Sequence, residues 1–210
     1  MAVNGAETPR APRWRLFVAA EIDDAARAAC ARVADALRAK GFAAKWVPPE
    51  NYHLTVAFVG AVEESRVPEV ASAIRDAVAR ASALEIPLDA VGAFPNERRV
   101  RIVWVGSHAP QPRFATLCGV VRSALSVLGF VFDRHTDAHV TLARAEGRAA
   151  LPSVPAPKIA PVTIASLALY RSFTERAGAR YEPLARFALG APASGPSGDR
   201  ANAPPGPRSA

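Results

Sequence analysis

Two short stretches of this chain are near copies of each other. His53-Leu54-Thr55-Val56-Ala57 returns in the second half as His139-Val140-Thr141-Leu142-Ala143. Branched and apolar residues at alternating positions favour a β-strand. In a strand, successive side chains point to opposite faces. His and Thr at i and i+2 therefore share one face, while Leu54 and Val56, like Val140 and Leu142, take the other. Each copy offers one imidazole and one hydroxyl from a strand anchored behind by packing. Of the four histidines in the chain, two fall in this pattern. A fold that accommodates it twice has two similar lobes, each lending one His-x-Thr strand to a cleft between them.

The surrounding pattern supplies the rest of that fold. Trp14 to Ala20 reads as a first strand, followed by a helix capped by Asp23 or Asp24 and stopped at Gly41. Ala43 to Val47 is a short strand ended by Pro48-Pro49, and the first His-x-Thr strand, Tyr52 to Val59, ends at Gly60. A second helix is expected over Ser65 to Ala83, then a strand pair, Leu84 to Phe94 and Val100 to Val105. Pro112 to Leu128 reads as a third helix, Phe130 to Phe132 as a short strand, and His139 to Arg144 as the second His-x-Thr strand. Gly147 to Pro161 is a loop, and Val162 to Ser172 with Arg180 to Leu189 a closing hairpin. Without strict βαβ alternation the strands should be largely antiparallel. The expected class is α+β, bilobal, with two pseudo-symmetric, mostly antiparallel sheets and helices on their outer faces. Residues 1–13 and the Pro/Gly/Ala-rich residues 190–210 have little to bury and are expected to be disordered, leaving 14–189 as the folded domain.

Charge and cysteine usage narrow the partners. At 210 residues with a formal charge of +7, the chain favours a polyanionic ligand such as nucleic acid. An Ala- and Arg-rich composition explains the same charge without any ligand. Cys30 and Cys118 stand far apart in expected helices, with no metal-ligand spacing and no disulfide framework. No apolar run approaches a membrane span. These features point to a cytoplasmic protein that has no membrane attachment and is expected to be a monomer.

Two imidazoles facing one cleft suit general acid–base chemistry near neutral pH. One removes a proton from an attacking water and the other donates to a leaving oxygen. Thr55 and Thr141 can donate hydrogen bonds to a phosphoryl or acyl oxygen held between them. A zinc site is the competing reading. It needs a third ligand, which His135 or Asp137 would have to supply, and no His-Glu-x-x-His helix is present. No metal and no cofactor is expected. A Gly-x-Ser-x-Gly nucleophile context and a phosphate-cradling glycine loop are both missing.

The matched positions extend beyond the histidines. Arg15-Leu16-Phe17-Val18-Ala19, Trp46-Val47, His53 to Gly60, Gly92-Ala93-Phe94-Pro95, Leu128-Gly129-Phe130, His139 to Arg144 and Leu169-Tyr170-Arg171-Ser172 together resemble the two-histidine (2H) phosphoesterases. Within them the pattern is similar to the RNA 2′,3′-cyclic phosphodiesterase branch, also called 2′-5′ RNA ligase. The resemblance implies metal-independent opening of a terminal 2′,3′-cyclic phosphate to a 2′-phosphomonoester, with possible reversal to ligation. It implies RNA or nucleotides with such ends as substrate. His139 would be the base toward water, His53 the acid toward O3′, and Thr55 and Thr141 the holders of the non-bridging oxygens.

Arg144 is implied as a further phosphate partner. Five residues beyond His139, it would face away on an unbroken strand, so it reaches the cleft only if the strand ends or bulges near Ala143. Phe17 either stacks on a base or packs in the core. Tyr52 is a second candidate stacking surface. Many family members carry Pro directly before the second His, whereas this chain has Asp137-Ala138; Asp137 either tunes His139 or is a solvated turn residue. The competing classes are an RNA-binding module without turnover, a structural domain whose histidines only pack, and a 2H enzyme for 2′-5′ linkages or another cyclic phosphate.

Overall fold

The structure is a computed structural model that describes residues 11–133, 137–147, 149–175 and 178–191. Its strands are β1 (Arg13–Glu21), β2 (Ala44–Trp46), β3 (His53–Glu63), β4 (Leu84–Ile86), β5 (Ala90–Phe94), β6 (Ile102–Gly106), β7 (His139–Ala145), β8 (Val162–Ile164), β9 (Ser166–Glu175) and β10 (Gly178–Ala188). Its helices are α1 (Asp24–Ala39), α2 (Val67–Val78) and α3 (Pro112–Val127), with single 3-10 turns at Pro49–Asn51 and Glu64–Arg66.

Eight strands form an antiparallel sheet in the order β10-β9-β1-β3-β7-β6-β5, with β2 also paired to β7. β4 and β8 make a separate two-stranded ribbon. The large sheet consists of two four-stranded halves, β10-β9-β1-β3 and β2, β7, β6, β5. They meet at the registered pair Leu54–Val140, between the two His-x-Thr motifs. The α+β, bilobal, antiparallel architecture is the one expected, and the halves are hydrogen-bonded to each other at that junction.

Packing also ties the halves together. α1 starts where the Asp23 carboxylate accepts the Ala26 N–H at 2.7 Å. Its buried face is small, with Ala26, Ala29, Cys30 and Ala34 beside Val33 and Leu37, so the helix lies close to the sheet. α1 follows β1 in the chain yet packs on β7, while α3, which precedes β7, packs on β3 and against α2. The helices thus cross between halves. Leu54, Val56, Val140 and Leu142 are all fully buried and belong to one continuous core with Leu37, Phe114 and Leu125. Each such aliphatic side chain contributes about 1.5–3 kcal/mol.

Several expected elements differ. Leu84 to Phe94 is two strands, because Pro87 has no N–H to give a ladder and β4 turns aside to pair with β8. The closing hairpin is accordingly β9 with β10 alone. Phe130 to Phe132 is not a strand; Phe130 packs under the Arg66 guanidinium, 5.2 Å from its ring centroid. α2 is shorter than expected, its C-terminal side replaced by a turn in which Ala81 O accepts Gly190 N–H. That bond also places Gly190 inside the folded unit. Residues 1–10 and 192–210, the bulk of the expected lead and tail, lie outside the described residues. β3 does not stop at Gly60. It passes through it at φ +86° and runs to Glu63, so Gly60 sits at a bulge.

Candidate active site

The register that joins the halves also builds the site. Antiparallel pairing at Leu54–Val140 sets His53 alongside Thr141 and Thr55 alongside His139, all on the face opposite the buried pair. An approximate local two-fold axis through that pair exchanges His53 with His139 and Thr55 with Thr141. The imidazoles are close enough that charge on His139 opposes charge on His53.

Each imidazole is oriented by the carbonyl two residues upstream. His53 Nδ1 donates to Asn51 O at 2.7 Å, and His139 Nδ1 donates to Asp137 O at 2.9 Å. A carbonyl only accepts, so both rings carry their proton on Nδ1 and leave Nε2 for chemistry. His53 Nε2 meets the Thr55 hydroxyl at 3.1 Å. Burial pushes His53 down to about 4, reinforced by His139 and opposed by the Asn51 hydrogen bond. Burial also lowers His139, against the Asp137 carbonyl bond and the Asp137 carboxylate. In the free site both are neutral bases at pH 7, and the Thr55 hydroxyl donates to His53 Nε2.

Arg144 reaches this face by a bulge. Opposite β6, Ala143 pairs with Val103 and Thr141 with Trp104, leaving Leu142 as the extra residue. Two successive buried residues, Leu142 and Ala143, follow, and the alternation resumes in the opposite phase. The condition set by the sequence is met one residue before Ala143. β3 does the same: against β1, Ala57 pairs with Val18 and Thr55 with Ala19, leaving Val56 extra. Phe58, five residues after His53, is therefore the counterpart of Arg144. The β3 bulge is braced from α3, whose Arg122 Nε donates to Val56 O at 2.9 Å.

His53, Thr55, Thr141, Arg144 and Phe58 line a cavity of about 400 Å³. The β9–β10 hairpin roofs it, with Tyr181 5.5 Å from the His53 ring centroid. Asn51 Nδ2 ties the hairpin down by donating to Ala179 O at 2.7 Å. Phe17 is at the back of this cavity and only 4 % exposed, enclosed by His53, Phe58, Tyr170 and Tyr181. Of its two readings, packing is the one the geometry supports: it backs the His53 ring and has no free face. The exposed aromatic is Phe58, at 68 %. Tyr52 is 3 % exposed and belongs to the core, so it is no stacking surface.

His139 opens on a second, adjoining cavity of about 380 Å³ lined by Phe94, Trp104, Ser107, Gln111 and Asp137. Trp104 lies flat over Gly92, where a Cβ would come within 2.3 Å of the indole. Asp137 acts on His139 mainly through its backbone carbonyl, and its carboxylate adds a favourable charge. Among the described residues no group of three His, Cys, Asp or Glu is placed to hold a metal ion, and no helix is long and apolar enough to cross a membrane. His135 lies outside the described residues.

This geometry has close relatives. A family model described as LigT-like phosphoesterase matches residues 17–104. A protein of Aeropyrum pernix named RNA 2′,3′-cyclic phosphodiesterase is 32% identical over 162 residues, covering 73% of this chain and 91% of that protein. The chain belongs to the LigT-like phosphoesterase family. A second member of that name, from Methanothermobacter thermautotrophicus, is 32% identical over 133 residues, covering 63% of this chain and 72% of its own length. The crystal structure of Escherichia coli LigT in apo form superposes with a TM-score of 0.70 at 28% identity, over 85% of this chain and 98% of LigT. LigT complexed with 3′-AMP gives the same TM-score at 27% identity, over 85% of this chain and 99% of that one. The fold of this LigT-like member is thus shared along nearly the whole of LigT.

The site also holds residues that sequence reasoning passed over. Phe58 and Tyr181 are two of them, and of this pair only Phe58 carried a signal: it sits at the same offset from His53 as Arg144 from His139.

Proposed function

We propose that this chain hydrolyses the 2′,3′-cyclic phosphate at the 3′ end of RNA to a 2′-phosphomonoester by acid–base catalysis between His53 and His139. One observation carries the reading: two imidazoles, locked by carbonyls through Nδ1, keep their Nε2 atoms on a face that also bears two threonine hydroxyls and an arginine. The relatives named RNA 2′,3′-cyclic phosphodiesterase, and LigT with bound 3′-AMP, support the substrate class.

In the reaction, one Nε2 takes a proton from water as its oxygen bonds to phosphorus. The other Nε2–H gives its proton to O3′ as the P–O3′ bond breaks, leaving a 3′-hydroxyl and a 2′-phosphate. Thr55 and Thr141 donate to the non-bridging oxygens, and the Arg144 guanidinium offsets the charge that builds there. Thr55 must exchange its bond to His53 for one to the substrate. The anionic phosphate also raises both imidazoles from their depressed free-state values, which lets one of them carry the proton to be donated.

Family resemblance makes His139 the base and His53 the acid. The free site favours the reverse, because desolvation holds His53 neutral at about 4 while the Asp137 carboxylate favours charge on His139. A substrate whose 3′ bridging oxygen is sulfur distinguishes them, since thiolate leaves without protonation; the variant lacking the acid is rescued and the one lacking the base is not. The primary test is an RNA oligomer ending in a 2′,3′-cyclic phosphate, incubated with excess EDTA and wild type, His53→Ala or His139→Ala. Wild type should yield the 2′-phosphate, and each folded variant should lose at least about 10²-fold in kcat. Turnover abolished by EDTA, or retained by either variant, overturns the mechanism.

A further inference from the structure

The chemistry above uses one guanidinium, yet three cations converge on the same cavity. Arg15 on β1, Lys45 on β2 and Arg144 on β7 all line it, and all three are exposed. Lys45 and Arg144 are directly opposite each other across the β2–β7 ladder. Side chains in that relation point to the same face a few ångströms apart, so two like charges there repel. Arg15 comes in from the other side of the cavity: its charge and that of Arg144 both act on the Tyr181 hydroxyl, whose pKa burial raises and the two cations lower. Among the described residues none of the three forms an ion pair. Among the described residues the carboxylate lining the cavity is Glu175, which is held by Arg180 at 2.8 Å.

A fold retains a repulsive cross-strand pair without a counter-charge where a ligand supplies it. A single cyclic phosphate carries one negative charge, which Arg144 alone balances. Lys45 and Arg15 are left over. We infer that Lys45 and Arg15 form a second phosphate subsite, which takes the phosphodiester on the 5′ side of the terminal nucleoside and makes the protein select oligonucleotide ends over mononucleoside 2′,3′-cyclic phosphates. The inference rests on the proposed function and names the length class of its substrate. A strongly hydrated ammonium and a guanidinium at an open rim suit a solvated phosphodiester, which is held as a charge and is not read as a base.

The experiment compares kcat/KM on three substrates: a mononucleoside 2′,3′-cyclic phosphate, the same compound with a 5′-phosphate, and a dinucleotide with the same cyclic end. Wild type should prefer the second and third to the first by about tenfold per charge-assisted contact, and equally if phosphate is the group recognised. Lys45→Met and Arg15→Met should each remove about a factor of ten from that ratio, and each should flatten the salt dependence measured for the dinucleotide. Lys45→Arg should restore the ratio. Because both positions are exposed, the variants should melt no lower than wild type; Lys45→Met, relieved of its repulsion with Arg144, should melt higher. A dinucleotide preference absent from the 5′-phosphorylated monomer would assign selection to the second base and overturn the subsite. So would an unchanged ratio in both variants. Titrating the same lengths as 3′-monophosphates reads the subsite without turnover. Length-dependent binding with no hydrolysis of any cyclic end would refute the proposed function and keep the subsite, whereas hydrolysis without length dependence would do the opposite.

Discussion

Acidification should destabilise this protein through His53 in particular, and the size of the effect follows from the site. Half-buried beneath Tyr181 and against Phe17, His53 has its pKa depressed by desolvation to about 4, against 6.5 for an ordinary histidine. The unfolded chain therefore binds the proton more readily than the folded one. The stability associated with neutral His53 is fully present above about pH 6.5, is lost as pH falls through that value, and is gone below about pH 4. The complete loss is about 3 kcal/mol, of which about 2 kcal/mol has accrued by pH 5. Against a typical total of about 5–15 kcal/mol this is a large fraction. Urea unfolding of wild type and His53→Gln at pH 7.5, 6 and 5 isolates it, since carboxylates and His139 titrate in both proteins. The variant should lose about 2 kcal/mol less than wild type between the two ends of that range. Parallel losses would mean that His53 titrates normally in the fold, and the claim that burial prepares it as a neutral base would fail. A phosphate-bearing ligand should act in the opposite direction. It gives the protonated ring a partner, so nucleotide 2′-phosphates should bind more tightly at pH 5 than at 7.5 in wild type and lose that dependence in His53→Gln.

Two further substitutions test how the strands hold the histidines. A Cβ at Gly106 would lie 2.6 Å from Ala138 O and 3.2 Å from both Cα and Cβ of His139, so Gly106→Ala should push β7 from β6 and lower kcat by about 10²-fold, the cost of a misplacement near one ångström; unchanged kcat/KM would show that His139 is not positioned by this contact. Arg122 from α3 donates to Val56 O at 2.9 Å and to Asp133 O at 3.0 Å, so Arg122→Met should cost about 1–3 kcal/mol in chemical denaturation and lower kcat with it, while Arg122→Lys should recover part of both; a variant of full stability would mean that the β3 bulge needs no brace.

What the sequence made legible depended on whether the signal was local. The His-x-Thr strands were readable because alternation needs only neighbours, and α1 because its cap, its small-residue face and its terminal glycine fall in one window. Phe130 to Phe132 has the composition of a strand but pairs with none, and Phe130 packs beneath Arg66 just beyond the end of α3. Arg144 was readable only as a condition. Its direction depends on an extra residue at Leu142, and a bulge is defined by the partner strand, which sequence spacing does not contain. Phe17 showed the same limit from the other side. Its place in an Arg-Leu-Phe match was plain, but whether an aromatic ring packs or stacks is decided by what covers it, and here four rings do. Lys45 drew no attention as a single lysine. Its meaning comes from standing opposite Arg144 across a ladder.

The duplicated motif also poses a problem that the structure answers. Two imidazoles related by a two-fold axis and fixed by equivalent carbonyls are chemically alike, and a reaction that needs one base and one acid requires them to differ. The difference is not in the motifs, which remain His-x-Thr in both copies, but in what each half places around them. β3 continues past its bulge to Phe58, and the β9–β10 hairpin closes Tyr181 over His53, so that side is aromatic. β7 continues past its own bulge to Arg144, and its approach through Asp137 leaves a carboxylate near His139, so that side is polar and charged. Equivalent bulges thus deliver unlike side chains to equivalent places. On the mechanism proposed above, the asymmetry between acid and base comes from the residue five places after each histidine and from the loop before it. Exchanging those residues, with Phe58→Arg and Arg144→Phe made together, tests this more directly than removing either histidine, because it should redistribute the proton between the rings while leaving both in place.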